Sequence, residues 1–437
     1  MIRPDGARES DRTVARSPAG GPQSRRRRLA IAGAVAAAFG IAAAVALLLT
    51  LGLGSRSSHG PASSTSQLRQ EPPWGFTGSW RDYCYRPLGT PPHYAVNVLS
   101  EGEACGTGST RFTTMQQIDL TARAGATIDR LGVLWGAVEP TPPVDRGGRR
   151  VHTFHWGPVV RLYNAMLSAR IRPIVLAYGA PKWARRRGWE RPGACRVRHS
   201  KGCSYPPNRQ HLSDWRTFIE ALMRHFPRML ALEVWNEPNL PRFFAPRPSP
   251  ALYSRLLDAA DRAAHRSGVP ATILTGGLTS SASRAHGGIP AARFLRRIYE
   301  LTGKASFDGI GTHPYPQGPP WVRSMSANID QLRRVRDRFH DRATPLWITE
   351  VGVGGTSARR RKGSVGLAHQ GPILARMYRS TQNSDVRSFI IYSLRDSPKE
   401  GPKFEPFGVV RANLQAKPAY CYLARHLAGV RLCGSEQ

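Results

Sequence analysis

The sequence predicts an α/β fold: a closed (β/α)8 barrel preceded by one apolar helix and a flexible tether. Three observations carry that expectation. Short apolar runs alternate with longer amphipathic stretches eight times over about 340 residues, a length that suits eight strand–helix units. The strand candidates are near-continuous apolar runs, as strands covered on both faces require. The alternation itself implies a parallel sheet with right-handed crossovers. An open, doubly wound sheet is the competing arrangement, and it is weakened because no Gly-x-Gly-x-x-Gly turn follows the first strand.

Taken in order, the first strand is expected at Tyr94–Leu99 and its helix at Phe112–Ala124. Thr127–Leu134 leads to a helix at Trp156–Ala169, and Arg172–Ala177 to one at Leu212–His225. That third helix shows the three-and-four spacing of a buried face in Phe218, Leu222, His225 and Phe226. Leu230–Trp235 precedes Pro250–Ser267, Thr272–Gly276 precedes Ala291–Leu301, and Phe307–Thr312 precedes Ala327–Phe339. Leu346–Thr349 and Ser388–Ser393 complete the strands, followed by helices at Leu367–Ser380 and Pro418–Leu427. The barrel domain so defined is residues 74–437.

Ahead of it, residues 1–28 form a polar, basic tail ending in Arg25, Arg26, Arg27 and Arg28. Leu29–Leu53 follows as 25 residues without a charge. About 20 apolar residues span a bilayer as a helix, so this stretch reads as a transmembrane anchor. The arginines would hold the tail in the cytoplasm and send the rest of the chain outside. A cleaved signal peptide shares the order of charge then apolar run, but its apolar part is normally only about 7–15 residues. A twin-arginine export signal is a further alternative. Residues 54–73, rich in Ser, Gly, Pro and Gln, cannot bury enough apolar surface to order themselves and read as a linker.

The 437 residues carry 63 Lys+Arg against 29 Asp+Glu, a net charge of +34. Such an excess favours polyanions, yet the basic residues are scattered and not interleaved with aromatics as on a nucleic-acid face, so no nucleic acid is expected. Six cysteines fall in three close couples, Cys84 with Cys105, Cys195 with Cys203 and Cys421 with Cys433. That grouping suggests local disulfides and an oxidising compartment. There is no Cys-x-x-Cys, no His-Glu-x-x-His, no Walker loop and no Gly-x-Ser-x-Gly, and neither a metal nor an organic cofactor is implied.

In such a barrel, chemistry belongs to the C-terminal ends of the strands. Strand four ends Trp235-Asn236-Glu237-Pro238, strand six ends His313-Pro314-Tyr315 and strand seven ends Thr349-Glu350. Two carboxylates therefore leave strands four and seven towards one another, which is the pair glycoside hydrolysis needs. Alone, each of these residues would as readily be a helix cap, an ion pair or a packed histidine. Together they resemble clan A of the glycoside hydrolases, particularly families 5 and 39, whose fold is the TIM barrel, over roughly Tyr94 to Leu427. The resemblance implies Glu237 as acid/base, Glu350 as nucleophile, Asn236 at the sugar 2-hydroxyl, and Arg130, His313 and Tyr315 around the pair. It departs from the family 5 pattern at strand eight, where Tyr392 stands in place of a Trp, and near strand three, where Tyr178 and Gly179 replace a His. Trp135, Trp183 and Trp321, just after strands, are candidate sugar platforms, or packed core residues.

The electrostatics suit those roles. An ionised nucleophile needs a cation such as Arg130 and a donor such as Tyr315, while the charge of Glu350 keeps the acid Glu237 protonated until the first step is over. The expected function is a retaining hydrolase or transglycosylase acting on an extracellular carbohydrate. The alternatives are a carbohydrate-binding or polysaccharide-assembly protein on the same barrel, and a surface nucleic-acid or anionic-lipid binder suggested by charge alone.

Overall fold

Apolar runs that alternate with amphipathic ones leave a strand no stable place except between a barrel interior and a helix layer, and this is where they lie. A computed structural model of the chain describes residues 73–77, 84–85, 96–97, 109–188, 204–303, 306–356, 364–396 and 406–433. Eight parallel strands close a barrel: β1 (Trp74–Thr77), β2 (Ile128–Leu134), β3 (Arg172–Tyr178), β4 (Ala231–Asn236), β5 (Thr272–Thr279), β6 (Ile310–His313), β7 (Leu346–Val351) and β8 (Val386–Tyr392). Besides the single turn Trp135–Val138, the helices are α1 (Ser109–Arg123), α2 (Gly157–Ser168), α3 (Leu212–His225), α4 (Pro250–Ser267), α5 (Ala291–Thr302), α6 (Trp321–Arg338), α7 (Leu367–Arg379) and α8 (Pro418–Ala428).

One strand lies elsewhere than the sequence predicts. The first barrel strand is Trp74–Thr77, which pairs with β8 on one side and β2 on the other. Of Tyr94–Leu99 the described residues are Val96–Asn97, which pair antiparallel with Cys84–Tyr85 outside the barrel. Four residues are too short for a periodic signal. Their fit depends on Gly75, where a Cβ would fall 1.7 Å from the Ile128 carbonyl oxygen, so only a glycine lets β1 approach β2. The sixth helix begins at Trp321 rather than Ala327, and the fifth strand runs on to Thr279 rather than stopping at Gly276.

Local chemistry explains where the helices start and stop. Ser249 caps α4 by accepting from the Leu252 amide, with Pro250 in its first turn and Gly268 left-handed at its end. The inside of the barrel is closed by Ile128, Ile174, Ala231, Leu274, Trp347 and Ile390. Strand side chains alternate with period two, so the next inward positions are Arg130, Leu176, Glu233, Gly276, Thr349 and Tyr392, four of them polar. An apolar plug therefore carries a polar layer, and that layer is the candidate site.

Behind β2 and β3 sits a second buried ionic cluster. The His152 ring approaches Glu139 at 2.7 Å and Asp214 at 3.4 Å, and Asp214 also takes Arg150 and His211. Burial pushes the His152 imidazolium down, but its hydrogen bonds to Asp214 and Glu139 outweigh that and raise it to about 9. Burial likewise opposes ionisation of Asp214, and its hydrogen bonds with His152, His211 and Arg150 reverse this, holding it at about 2. The cluster fastens the ribbon formed by Val144–Arg146 and Arg149–Val151 onto α3.

Among the described residues no helix is long and apolar enough to cross a membrane. The expected anchor at 29–53, the tail 1–28 and nearly all of the linker lie outside the described residues. The expected bridges Cys84–Cys105 and Cys195–Cys203 likewise involve residues outside that set. Cys421 and Cys433 are bonded, their Cα atoms 5.9 Å apart, tying α8 to the segment after it.

Candidate active site

Arg130 organises the polar layer. It is fully buried, and its three nitrogen donors point three ways: Nε to Glu233 at 2.6 Å, one terminal nitrogen to Glu350 at 2.5 Å, the other to Asn236 at 2.8 Å. Burial alone would make the guanidinium easier to deprotonate, but the charges of Glu233, Glu350 and Glu237 raise its pKa well above the ordinary arginine range. It is a permanent cation joining β2 to β4 and β7.

Glu233, absent from the sequence expectation, is its principal partner. Its second oxygen accepts the Gly277 amide at 2.8 Å and the Thr349 hydroxyl at 2.8 Å. The signal was present. A carboxylate and a guanidinium each inside an apolar parallel strand must find one another, because burying either charge alone costs several kcal/mol.

The directions of the remaining hydrogen bonds follow from that pair. Glu233, ion-paired to Arg130, only accepts, so the Thr349 hydroxyl uses its single proton on it. The Thr349 oxygen must then accept from Nε2–H of His313, 3.1 Å away. The other ring nitrogen, Nδ1, faces Glu237, whose Oε1 is 3.0 Å off. That contact is a hydrogen bond when Glu237 carries the proton. The ring fits there because Gly277 has no side chain; a Cβ on it would lie 2.0 Å from His313 Nε2.

Glu237 follows a backbone kink. Trp235 and Glu237 both adopt positive φ, +76° and +40°, a region costly for residues with a Cβ. The kink turns Trp235 into the helix layer, where its indole nitrogen donates to the Phe243 carbonyl, and lets Glu237 leave the strand end towards His313. Asn239 holds the following loop, donating to the carbonyls of Thr279 and Ile289. Glu350 accepts Arg130 on one oxygen and Tyr315, at 3.0 Å, on the other. Donor atoms of Glu237, His313 and Glu350 all lie within 4.8 Å of one another. Three such groups are a conceivable cation cradle, but both Glu350 oxygens already take donors and a metal would face the Arg130 charge.

The structure thus brings Glu237, Glu350, Arg130, Asn236, His313 and Tyr315 together. Tyr392, half-buried at the end of β8, lies edge-on to Tyr315 with ring centroids 6.1 Å apart. Phe407, from the loop after β8 and likewise missed in the sequence, meets both tyrosines at 6.0 and 5.6 Å and completes an aromatic wall. Its loop is held by Lys417, a buried ammonium that donates to Asp396 and to the Gly408 carbonyl at 2.8 Å each. Trp135 is a correction. It is fully buried, stacked on Phe218 and packed against Trp215, so neither ring face can meet a ligand. Trp183 is half-buried, edge-on to Trp135, with its indole donating to the Glu139 carbonyl. Trp321 opens α6 and packs partly against the core.

No protein-family profile matches the chain, and no curated protein matches it. Solved structures do. A family 39 glycoside hydrolase from Bacteroides cellulosilyticus WH2 aligns at 19% identity and a TM-score of 0.50, over 71% of this chain and 59% of that one. A β-xylosidase from Caulobacter crescentus CB15 aligns at 18% identity and 0.52, over 74% and 67%. A family 1 β-glucosidase from Thermotoga maritima aligns at 14% identity and 0.52, over 83% and 98%. The chain spans less than two thirds of the length of the first of these. At such identities the likeness speaks for the fold, and the fold this chain shares is that of glycoside hydrolases of families 39 and 1.

Proposed function

We propose that the chain is a retaining glycoside hydrolase, with Glu237 as acid/base and Glu350 as nucleophile. One observation carries the reading: a carboxylate oxygen of Glu237 lies within 4.8 Å of one of Glu350. Retaining enzymes hold their carboxyls about 5–5.5 Å apart, whereas inverting ones need about 6.5–9.5 Å to admit water. The solved structures that share the fold are glycosidases, which supports a carbohydrate as substrate.

In the first step a Glu350 oxygen attacks the anomeric carbon while Glu237 gives its proton to the glycosidic oxygen and the C–O bond breaks. Arg130 and Tyr315 aim the attacking carboxylate and keep it ionised. His313 holds the Glu237 proton in place through Nδ1 until it is transferred. In the second step the Glu237 carboxylate takes a proton from water, whose oxygen attacks the same carbon and frees Glu350. Two inversions give net retention. The aromatic wall of Tyr315, Tyr392 and Phe407 offers the apolar faces against which sugar rings stack. The apolar run Leu29–Leu53 supports membrane anchorage with the barrel outside the cell, acting on extracellular poly- or oligosaccharide.

The test is turnover of a panel of aryl glycosides, with the first-formed product read by proton NMR. Retention and a loss of at least about a thousandfold in Glu350→Gln are expected, since removing a reacting group leaves only binding and charge effects. An inverted product, or full activity in Glu350→Gln, would sink the mechanism.

A further inference from the structure

The charge of this chain is unevenly placed. At the N-terminal ends of the barrel strands, the described loops from helix to strand carry Arg170, Arg228 and Arg342 against Asp308, Asp341 and Asp385, with Arg431 in the segment after α8. On the helices many arginines face a carboxylate one turn away, as Arg224 does with Glu220 and Arg262 with Asp258. The loops at the C-terminal ends differ. Their described carboxylates beyond Glu237 are Glu139 and Asp396, both tied to internal partners, and Asp145. Against these stand exposed arginines that have no carboxylate partner among the described residues, notably Arg186, Arg187, Arg242, Arg247 and Arg284.

These five belong to three loops that are bonded into one ridge. The Ser204 amide donates to the Arg242 carbonyl and the Ala245 amide to the Ser204 carbonyl, joining the loops after β3 and β4. The Ile289 amide and the Asn239 carbonyl, 3.0 Å apart, join the loops after β4 and β5. Within the first loop Tyr205 binds back to Ala180, and the Arg185 guanidinium covers its ring at 5.2 Å. Glu237 is the first residue of the middle loop, whose backbone the Leu240 amide ties back to the Glu237 carbonyl, so the three loops share the strand-end face that carries the acid/base residue. Charges of one sign around a concave, low-dielectric mouth concentrate the opposite charge there.

We infer that the substrate is an anionic glycan, whose carboxylate or ester groups are held by the arginine ridge of the loops after β3, β4 and β5. The inference rests on the hydrolase reading for the word glycan, and on the ridge alone for the charge. The acid stands beside the glycosidic oxygen, so the ridge around Glu237 meets the leaving-group side of the bond.

The experiment compares two triplets in the full chain, each lowering the net charge equally. One is Arg187→Gln, Arg242→Gln and Arg284→Gln on the ridge; the other is Arg170→Gln, Arg228→Gln and Arg342→Gln at the opposite end. Binding is measured at about 0.15 M salt, where distant charges are screened, in a Glu350→Gln background so that the ligand is not consumed. The probes are polygalacturonate for carboxylates, heparin for sulfates and xylan as the neutral control. The ridge triplet should weaken binding to one of the two anionic glycans by about tenfold or more, while the opposite triplet changes it by less than about twofold; three phosphate-like contacts account for such a loss. The glycan that responds names the anion, and a ridge triplet of Arg→Lys should retain binding. Equal losses in the two triplets overturn the inference. So does a ridge-dependent loss that is as large on single-stranded DNA or on anionic vesicles as on the glycans. Turnover is read separately in the unsubstituted chain. No turnover with ridge-dependent glycan binding removes the hydrolase and keeps the surface; turnover confined to neutral glycans does the reverse.

Discussion

Arg130→Lys tests the polar layer most sharply, because it keeps the charge and changes only the shape. The lysine ammonium falls near the arginine Cζ, short of the terminal nitrogens by roughly one C–N bond of 1.3 Å. It can still reach Glu233, which Arg130 contacts through Nε, but not Glu350 and Asn236 at the distances the fork achieves. A hydrogen bond to a charged group contributes about 1.5–3 kcal/mol and a neutral one about 0.5–1.5 kcal/mol. The loss is therefore about 2–4 kcal/mol, which a domain stable by about 5–15 kcal/mol survives. Urea denaturation followed by tryptophan fluorescence should show that drop. If the same energy steadies Glu350 in the transition state, kcat/KM on an activated aryl glycoside falls by about 30- to 1000-fold. Arg130→Met should destabilise further, by about 3–5 kcal/mol, because two carboxylates are then left buried without their cation. Stability and kcat/KM both within twofold in Arg130→Lys would refute the claim that fork geometry, rather than charge, sets this site.

Thr349→Val removes the acceptor of His313 Nε2–H and one donor to Glu233, costing about 1–3 kcal/mol. It should slow substrates with poor leaving groups more than activated ones, and Thr349→Ser should restore them; equal rates in Val and Ser would exclude the relay. The Glu139–His152–Asp214 cluster makes stability depend on pH. The folded His152 value of about 9 exceeds its ordinary 6.5, so its contribution is complete below pH 6.5 and fades as pH rises towards 9. Asp214, held at about 2 against 3.8, contributes above pH 3.8 and loses this as pH falls towards 2. After allowing for solvent screening the alkaline loss is on the order of 1 kcal/mol, and it should vanish in His152→Gln; urea midpoints that stay flat from pH 6.5 to 9 in the parent chain would contradict it. Replacing Cys421 and Cys433 by Ser opens a loop with a sequence separation of 12 and should lower stability by about 2–3 kcal/mol, read from thermal unfolding with and without reductant.

The barrel was legible from the chain because its cause is repetitive: each strand needs cover on both faces, and each helix has one apolar stripe. The same pattern located the strand ends, so Glu237, Glu350, Asn236, His313 and Tyr315 were found by position, and Arg130 by the resemblance that position suggested. Trp74–Thr77 escaped because four residues have no period, and what makes them a barrel strand is closure between β8 and β2, with Gly75 against Ile128. Trp135 and Phe407 show the limit from both sides. Each follows a barrel strand and each is aromatic, yet one is sealed against Phe218 and the other stands beside Tyr315 and Tyr392. Glu233 sat in plain view within an apolar strand, but its partners are 103 and 116 residues away. The sequence by itself determines which residues can bear charge and which end of the barrel they reach. Only the tertiary structure decides which charges meet, because a buried ion pair or a hydrogen-bond chain is a matter of a few ångströms between segments that composition and periodicity leave independent.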